Sequence, residues 1–220
     1  MALPHHPLMT VEDYFELDRT STETRYEYID GYVRMPAGGT ANHATIGVNV
    51  TSTLRRLLRG SPCRVYNSDL RVRISETRYV YPDASVSCDE RDRGQSDMVR
   101  SPRLIVEVLS PGTEAYDRGR KFAYYRDDIA NMAQGNPCYA YDRGRKFAYY
   151  RERPTIQEYV LIDTQRQAVE VFRREKNSFW TFHAFGPGDE VELVSVHVRV
   201  SVDDIYEDVI VPPEHDDQPV

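Results

Sequence analysis

A chain of 220 residues and 25.5 kDa, 40% hydrophobic and 29% charged with a mean hydropathy of -0.62, is large enough for one domain with a real core. This balance excludes collagen, coiled coil and long disorder, and no stretch approaches the roughly 18 uninterrupted apolar residues of a membrane span. The formal charge of -7 is concentrated at one end: residues 201–220 hold seven acids and no Lys or Arg, so the first 200 residues balance at 28 against 28, too little field for a protein that simply coats nucleic acid.

The start MALPHHPLMT carries neither a basic nor an apolar leader segment, so neither secretion nor membrane insertion is expected. Thr10 begins a capping-box-like TVED that predicts a short amphipathic helix through Tyr14, Phe15 and Leu17. In RYEYIDGYVRM, Asp30-Gly31 between two Tyr- and Val-rich runs predicts a tight hairpin. Residues 41–59 predict a helix with Ile46, Val50, Leu54, Leu57 and Leu58 as its apolar stripe and Arg55, Arg56 and Arg59 on its last turns. The segments CRVYN, DLRVRI and YVYPDASVSC predict short strands, and the continuous apolar run LIVEVL at 104–109 predicts a strand buried on both faces. After a helical segment, IQEYVLID, QAVEVFRR and SFWTFHAF alternate in strand fashion, followed by a Gly-Pro-Gly turn and a short helix near SVDDIY. The order gives an α/β (α+β) fold with a mixed sheet, one domain over residues 1–211 and an acidic tail over 212–220. Three cysteines, Cys63, Cys88 and Cys138, form no CxxC pair and leave one over if a disulfide forms, which fits a reducing cytoplasm and not a zinc site.

AYDRGRKFAYYR occurs twice without a change, at Ala115–Arg126 and Ala140–Arg151, a 25-residue tandem duplication within 115–151. A pair is too short for a solenoid. In the first copy Ala115, Gly119, Phe122 and Ala123 share one helical stripe, with Arg118, Lys121 and Tyr125 on its shoulder. Gly135 and Pro137 in the spacer predict two separate helices, of which only one can occupy a given docking site.

Glu107 is the first chemical candidate, because a carboxylate inside LIVEVL must meet a cation, a metal or water. The second is Asp83, where Pro82 marks a strand end or bulge. Two carboxylates on neighbouring strands suit Mg²⁺, which takes one or two protein carboxylates with waters and substrate phosphate; an ion pair with one of the 25 arginines is an equal alternative. Only three lysines accompany those arginines, Lys121, Lys146 and Lys176, and two of them share one repeat position. A compact, titratable amine there can orient or deprotonate a water, while an i,i+4 pair of Asp117 with Lys121 is the plainer reading. Glu27 is a weaker acidic candidate, Asp30 belongs to its turn, and His43 at a helix start is more often structural than phosphate-binding.

The ordered set YEYIDG, SDLRVR, YPDASV, LIVEVLSPGTEAYDRGRKFAYYR and PTIQEYVLID resembles the Uma2 family, often labelled as restriction endonucleases, over about Thr10 to Val211. The resemblance implies a restriction-endonuclease-like fold of the PD-(D/E)xK type, a mixed sheet core flanked by helices with two acids and a lysine around a divalent metal. By motif, Asp83 resembles the acid of the PD element and Glu107 the second acid, but the position two beyond is Leu109 where many such nucleases keep lysine. The resemblance places the lysine in DRGRKF instead, which nominates Lys121 as catalytic, with Lys146 as the alternate and Glu27 as an additional metal ligand beside Asp83 and Glu107. The shorter connection to Glu107 favours Lys121. The implied function is Mg²⁺- or Mn²⁺-dependent endonucleolytic hydrolysis of nucleic acid, DNA favoured; the alternatives are an inactive nuclease fold that binds, in which neither lysine reaches the carboxylates, and a homo-oligomeric interaction protein with an exposed apolar, Tyr-rich patch.

Overall fold

The computed structural model describes residues 8–36, 39–94, 96–109, 146–176 and 179–212. The first repeat copy, with Lys121, lies outside the described residues, as do the first six residues of the second copy and the tail from 213.

Helix α1 (Val11–Thr20) starts as expected: Thr10 Oγ1 accepts from the Asp13 amide and donates to Asp13 Oδ2. Strands β1 (Glu27–Ile29) and β2 (Tyr32–Arg34) form the hairpin, and Asp30 and Gly31 both adopt positive φ, 48° and 93°. Helix α2 (Ala41–Leu57) buries Ile46, Val50 and Leu54, with Leu58 just past its end; Leu57, expected in the same stripe, turns to the surface. Then follow β3 (Arg64–Asn67), β4 (Arg71–Ser75), β5 (Arg78–Val80), β6 (Ala84–Ser87), β7 (Met98–Val99) and β8 (Pro102–Leu109). Helix α3 (Phe147–Glu152) leads into β9 (Glu158–Asp163), β10 (Val169–Arg174) and β11 (Trp180–Phe185), and β12 (Glu190–Leu193), β13 (Val198–Ser201) and α4 (Val202–Ile205) end the chain.

The expected mixed sheet is present, as the main one of three among the described residues. The main one has the order β11-β10-β9-β8-β6-β3, with β8 and β9 parallel and every other pair antiparallel. A second has the order β2-β1-β5-β4-β7, and β12 pairs with β13 alone. The split follows from Tyr81-Pro82-Asp83, which separates β5 from β6 and sends the two strands into different sheets. Side chains of the main sheet alternate as its strands require. Val106, Val108, Val160 and Val171 join Ile46, Val50 and Leu54 of α2 and the β12–β13 pair on one face. Ile105, Leu109, Tyr159 and Leu161 join Tyr150 of α3 and Val72 and Ile74 of β4 on the other. Among the described residues no helix is long and apolar enough to cross a membrane.

The cysteines depart from the reduced state expected of them: Cys63 and Cys88 are joined by a disulfide. The ladder explains it, because Arg64↔Ser87 is the last pair between β3 and β6, and the two cysteines are the next residues opposite each other. A thiol titration of the unfolded, unreduced chain finds one thiol; three would refute the bond. Reduction removes a cross-link spanning 25 residues, worth about 3 kcal/mol of unfolding free energy in the chain-entropy picture.

Candidate functional site

The central strand β8 carries Glu107 between Val106 and Val108, and alternation aims it at the face covered by α3. Glu107 is 4% exposed and is answered from α3 and its N-cap residue: Lys146 Nζ stands 2.8 Å from Glu107 Oε1, and the Tyr150 hydroxyl donates to the same oxygen at 2.6 Å. Lys146 and Tyr150 are four apart, so one helical face delivers both donors. Burial, and then the adjacent Glu107 charge, raise the Tyr150 phenol well above its ordinary pKa, which keeps it a neutral donor.

The second acid arrives by register. Asp83 stands one residue before the Ala84↔Val106 pair of the antiparallel β6–β8 ladder, which places it beside Glu107. Its Oδ2 accepts from the Val108 amide at 2.7 Å, and its Oδ1 faces His43 Nε2 of α2 at 3.4 Å. The Asp83 and His43 side chains are 19% and 22% exposed, so solvent reaches the cluster at this end.

Glu27 enters from β1 of the second sheet, wholly buried. Arg34 Nε donates to its Oε2 at 2.6 Å, the Tyr81 amide to its Oε1 at 3.1 Å, and Lys146 Nζ lies 3.5 Å from Oε1. Burial opposes ionisation of Glu27, yet Lys146, Arg34 and the Tyr81 N–H together hold its pKa below the usual value. A depressed folded pKa means that the stability Glu27 contributes is complete above its unfolded value of 4.5 and is lost as pH falls through the folded one. Glu27→Gln therefore flattens the acid limb of the stability-against-pH curve in urea titrations, and an unchanged acid limb would refute the assignment.

The structure thus brings together Glu107, Lys146 and Glu27, while the Asp83 carboxylate is held at the Val108 amide of the same strand and faces His43. Lys121, the lysine favoured on connection length, lies outside the described residues, and its repeat counterpart Lys146 holds the position against Glu107. The expected stripe is also turned: Ala148, the counterpart of Ala123, is exposed, whereas Lys146 and Tyr150 face inward. Two buried carboxylates draw the polar shoulder of the helix into the core. Leu109 fills the place where the short motif would put lysine, on the same side of β8 as Glu107, and is buried among Ile105, Tyr159 and Leu161. Tyr150 and Arg34 are site residues that the sequence motifs do not nominate; the i,i+4 spacing of Tyr150 from Lys146 is the signal the sequence carries.

As a metal site the donor set suits a hard cation. Among the described residues no three His, Cys, Asp or Glu side chains form a metal-binding group; a hard cation such as Mg²⁺ takes one or two protein carboxylates with waters. The Val108 amide and His43 orient Asp83, and Lys146 with Tyr150 orients Glu107. Glu27 fits less well, since Arg34, Tyr81 and Lys146 already occupy its carboxylate.

This mixed α/β architecture is shared with a crystal structure from Anabaena variabilis titled "a putative nuclease belonging to DUF820", at a TM-score of 0.63 and 19% identity, covering 90% of this chain and 97% of that one. The family described as "Uma2: Putative restriction endonuclease" matches residues 11–130 and 136–203, and the chain belongs to it. Two uncharacterized proteins of Synechocystis are similar: one is 32% identical over 201 residues, 91% of this chain and 92% of that protein, and the other 28% identical over 190 residues, 84% and 93%.

Proposed function

We propose that the protein is a metal-dependent phosphodiesterase acting on nucleic acid, with Asp83 and Glu107 as the metal ligands and Lys146 as the catalytic cation. The observation that carries this reading is the contact of Lys146 Nζ with Glu107 Oε1 at 2.8 Å, on the strand whose Val108 amide holds Asp83. An inactive binding relative has no need to keep an ammonium against these acids, and a buried pair is a poor device for stability alone. Asp83 and Glu107 would hold Mg²⁺ or Mn²⁺, which would supply Lewis acidity toward a phosphoryl oxygen. The rest falls to the chain. Lys146, between Glu107 and Glu27, orients a water and offsets negative charge on the phosphate. Glu27 and Tyr150 position Lys146 and Glu107, and His43 stands at the solvent-facing end, against Asp83. DNA is the favoured substrate by family resemblance.

Calorimetric titration of Mn²⁺ and Mg²⁺ into the wild type and Asp83→Asn, with plasmid cleavage on the same samples, tests this. Wild-type binding and cleavage, both lost in Asp83→Asn, are expected. A folded wild type that binds neither ion would overturn the reading.

A further inference from the structure

Two arginines close to the site meet no carboxylate among the described residues. Arg151, on the exposed side of α3, lies over the Phe147 ring at 5.6 Å, and Arg174, at the end of β10, lies over Trp180 at 4.6 Å. Arg174 donates to the carbonyls of Ile156, Arg151 and Arg153, which fixes its guanidinium without neutralising it. Burial, and then the charge of Arg151, lower the Arg174 pKa, the mark of two cations held close. The acids of the neighbourhood are engaged elsewhere: Glu152 pairs with Arg78, and Glu175 accepts from Thr181.

Aromatic rings interleave with these cations. Phe147 stacks on Tyr159, meets Trp180 edge-on and touches Phe172, which in turn touches Phe182. Phe182 is 56% exposed on β11, the outermost strand of the main sheet, and Phe179 just before that strand is 72% exposed. The patch begins at Phe147, one residue from Lys146. Phosphates alone would need only the arginines. The exposed rings of Phe182 and Phe179 beside them suit bases that are not already stacked in a duplex.

We propose that Arg151, Arg174, Phe179 and Phe182, backed by Phe147 and Trp180, form a surface for a single-stranded stretch of nucleic acid, phosphates on the guanidiniums and bases on the exposed phenylalanine rings, leading to Lys146. This inference rests on the phosphodiesterase reading of the site. Trp180 is the chain's single tryptophan, so intrinsic fluorescence reports directly on the patch. The full chain is titrated in EDTA with an oligothymidylate of about ten nucleotides. Tryptophan emission is quenched, affinity falls with added salt, and Arg151→Ala and Phe182→Ala each weaken binding roughly 5- to 30-fold. Arg59→Ala, an exposed charge beyond the end of α2, stays within about twofold, the small effect expected of a single remote charge. Circular dichroism verifies that each variant is folded. Binding unaltered in both patch variants, binding without a change in emission, no binding, or tighter binding of a duplex of equal length overturns the proposal. Cleavage assays keep the two readings apart. A wild type that cleaves with Mg²⁺ while both patch variants bind and cleave normally overturns this surface alone. A chain that quenches with oligothymidylate but neither binds metal nor cleaves overturns the reading of the site alone.

Discussion

Glu107→Gln lowers metal-dependent plasmid cleavage by about 10²- to 10³-fold or more while leaving a folded chain, a loss of the size seen when one charged group is removed from a preorganised site. The side chain keeps its volume on β8 and loses only charge, so the β6–β8–β9 ladder stays in place. What goes is one of two carboxylates available to a cation and the main partner of Lys146. Breaking a buried pair by removing one member costs on the order of 3–5 kcal/mol, and the expected loss is at the lower end because Glu27 still lies 3.5 Å from Lys146 Nζ. Urea denaturation of Glu107→Gln, Lys146→Met and the double variant separates the contributions: the double variant is less destabilised than the sum of the singles if the two groups answer one another. Strict additivity would remove Lys146 from Glu107 in solution. Full cleavage by Glu107→Gln would remove Glu107 from the chemistry.

Lys146→Ala brings cleavage to the level of Glu107→Gln, and Lys121→Ala leaves it within a few-fold of wild type. The reason is occupancy: Lys146 is 5% exposed and held by two carboxylates, a place that accepts one ammonium. Because the two copies are identical, deleting residues 115–139 or residues 127–151 produces the same shortened chain, in which a single lysine follows Glu107 and precedes Ile156 at once. That chain folds and retains cleavage, since the helix entering β9 and its lysine are preserved. The opposite ranking, with Lys121→Ala inactive and Lys146→Ala active, would reassign the site lysine to the first copy, and loss of folding in the shortened chain would give the second unit a structural part.

Local rules made much of the fold legible. Thr10 capped its helix, Asp30-Gly31 turned its hairpin, and an apolar run too short for a helix of its own became the central strand, because capping, positive φ and strand burial depend on a few neighbouring residues. The acids were legible for the same reason. Glu107 in an apolar strand and Asp83 after a proline are anomalies that a single segment displays. Tertiary structure alone decided what answers them. Which of two identical segments supplies the docked helix depends on the crossover between two parallel strands, and nothing within AYDRGRKFAYYR distinguishes its copies. The division into three sheets, the Cys63–Cys88 bond and the approach of Glu27 and Arg34 all join segments distant in sequence, and their positions follow from strand order and register. The inward turn of Lys146 is the clearest case: by local hydrophobicity it sits on the shoulder of a stripe, and it is buried because Glu107 and Glu27 supply two negative charges that only the assembled sheets place there.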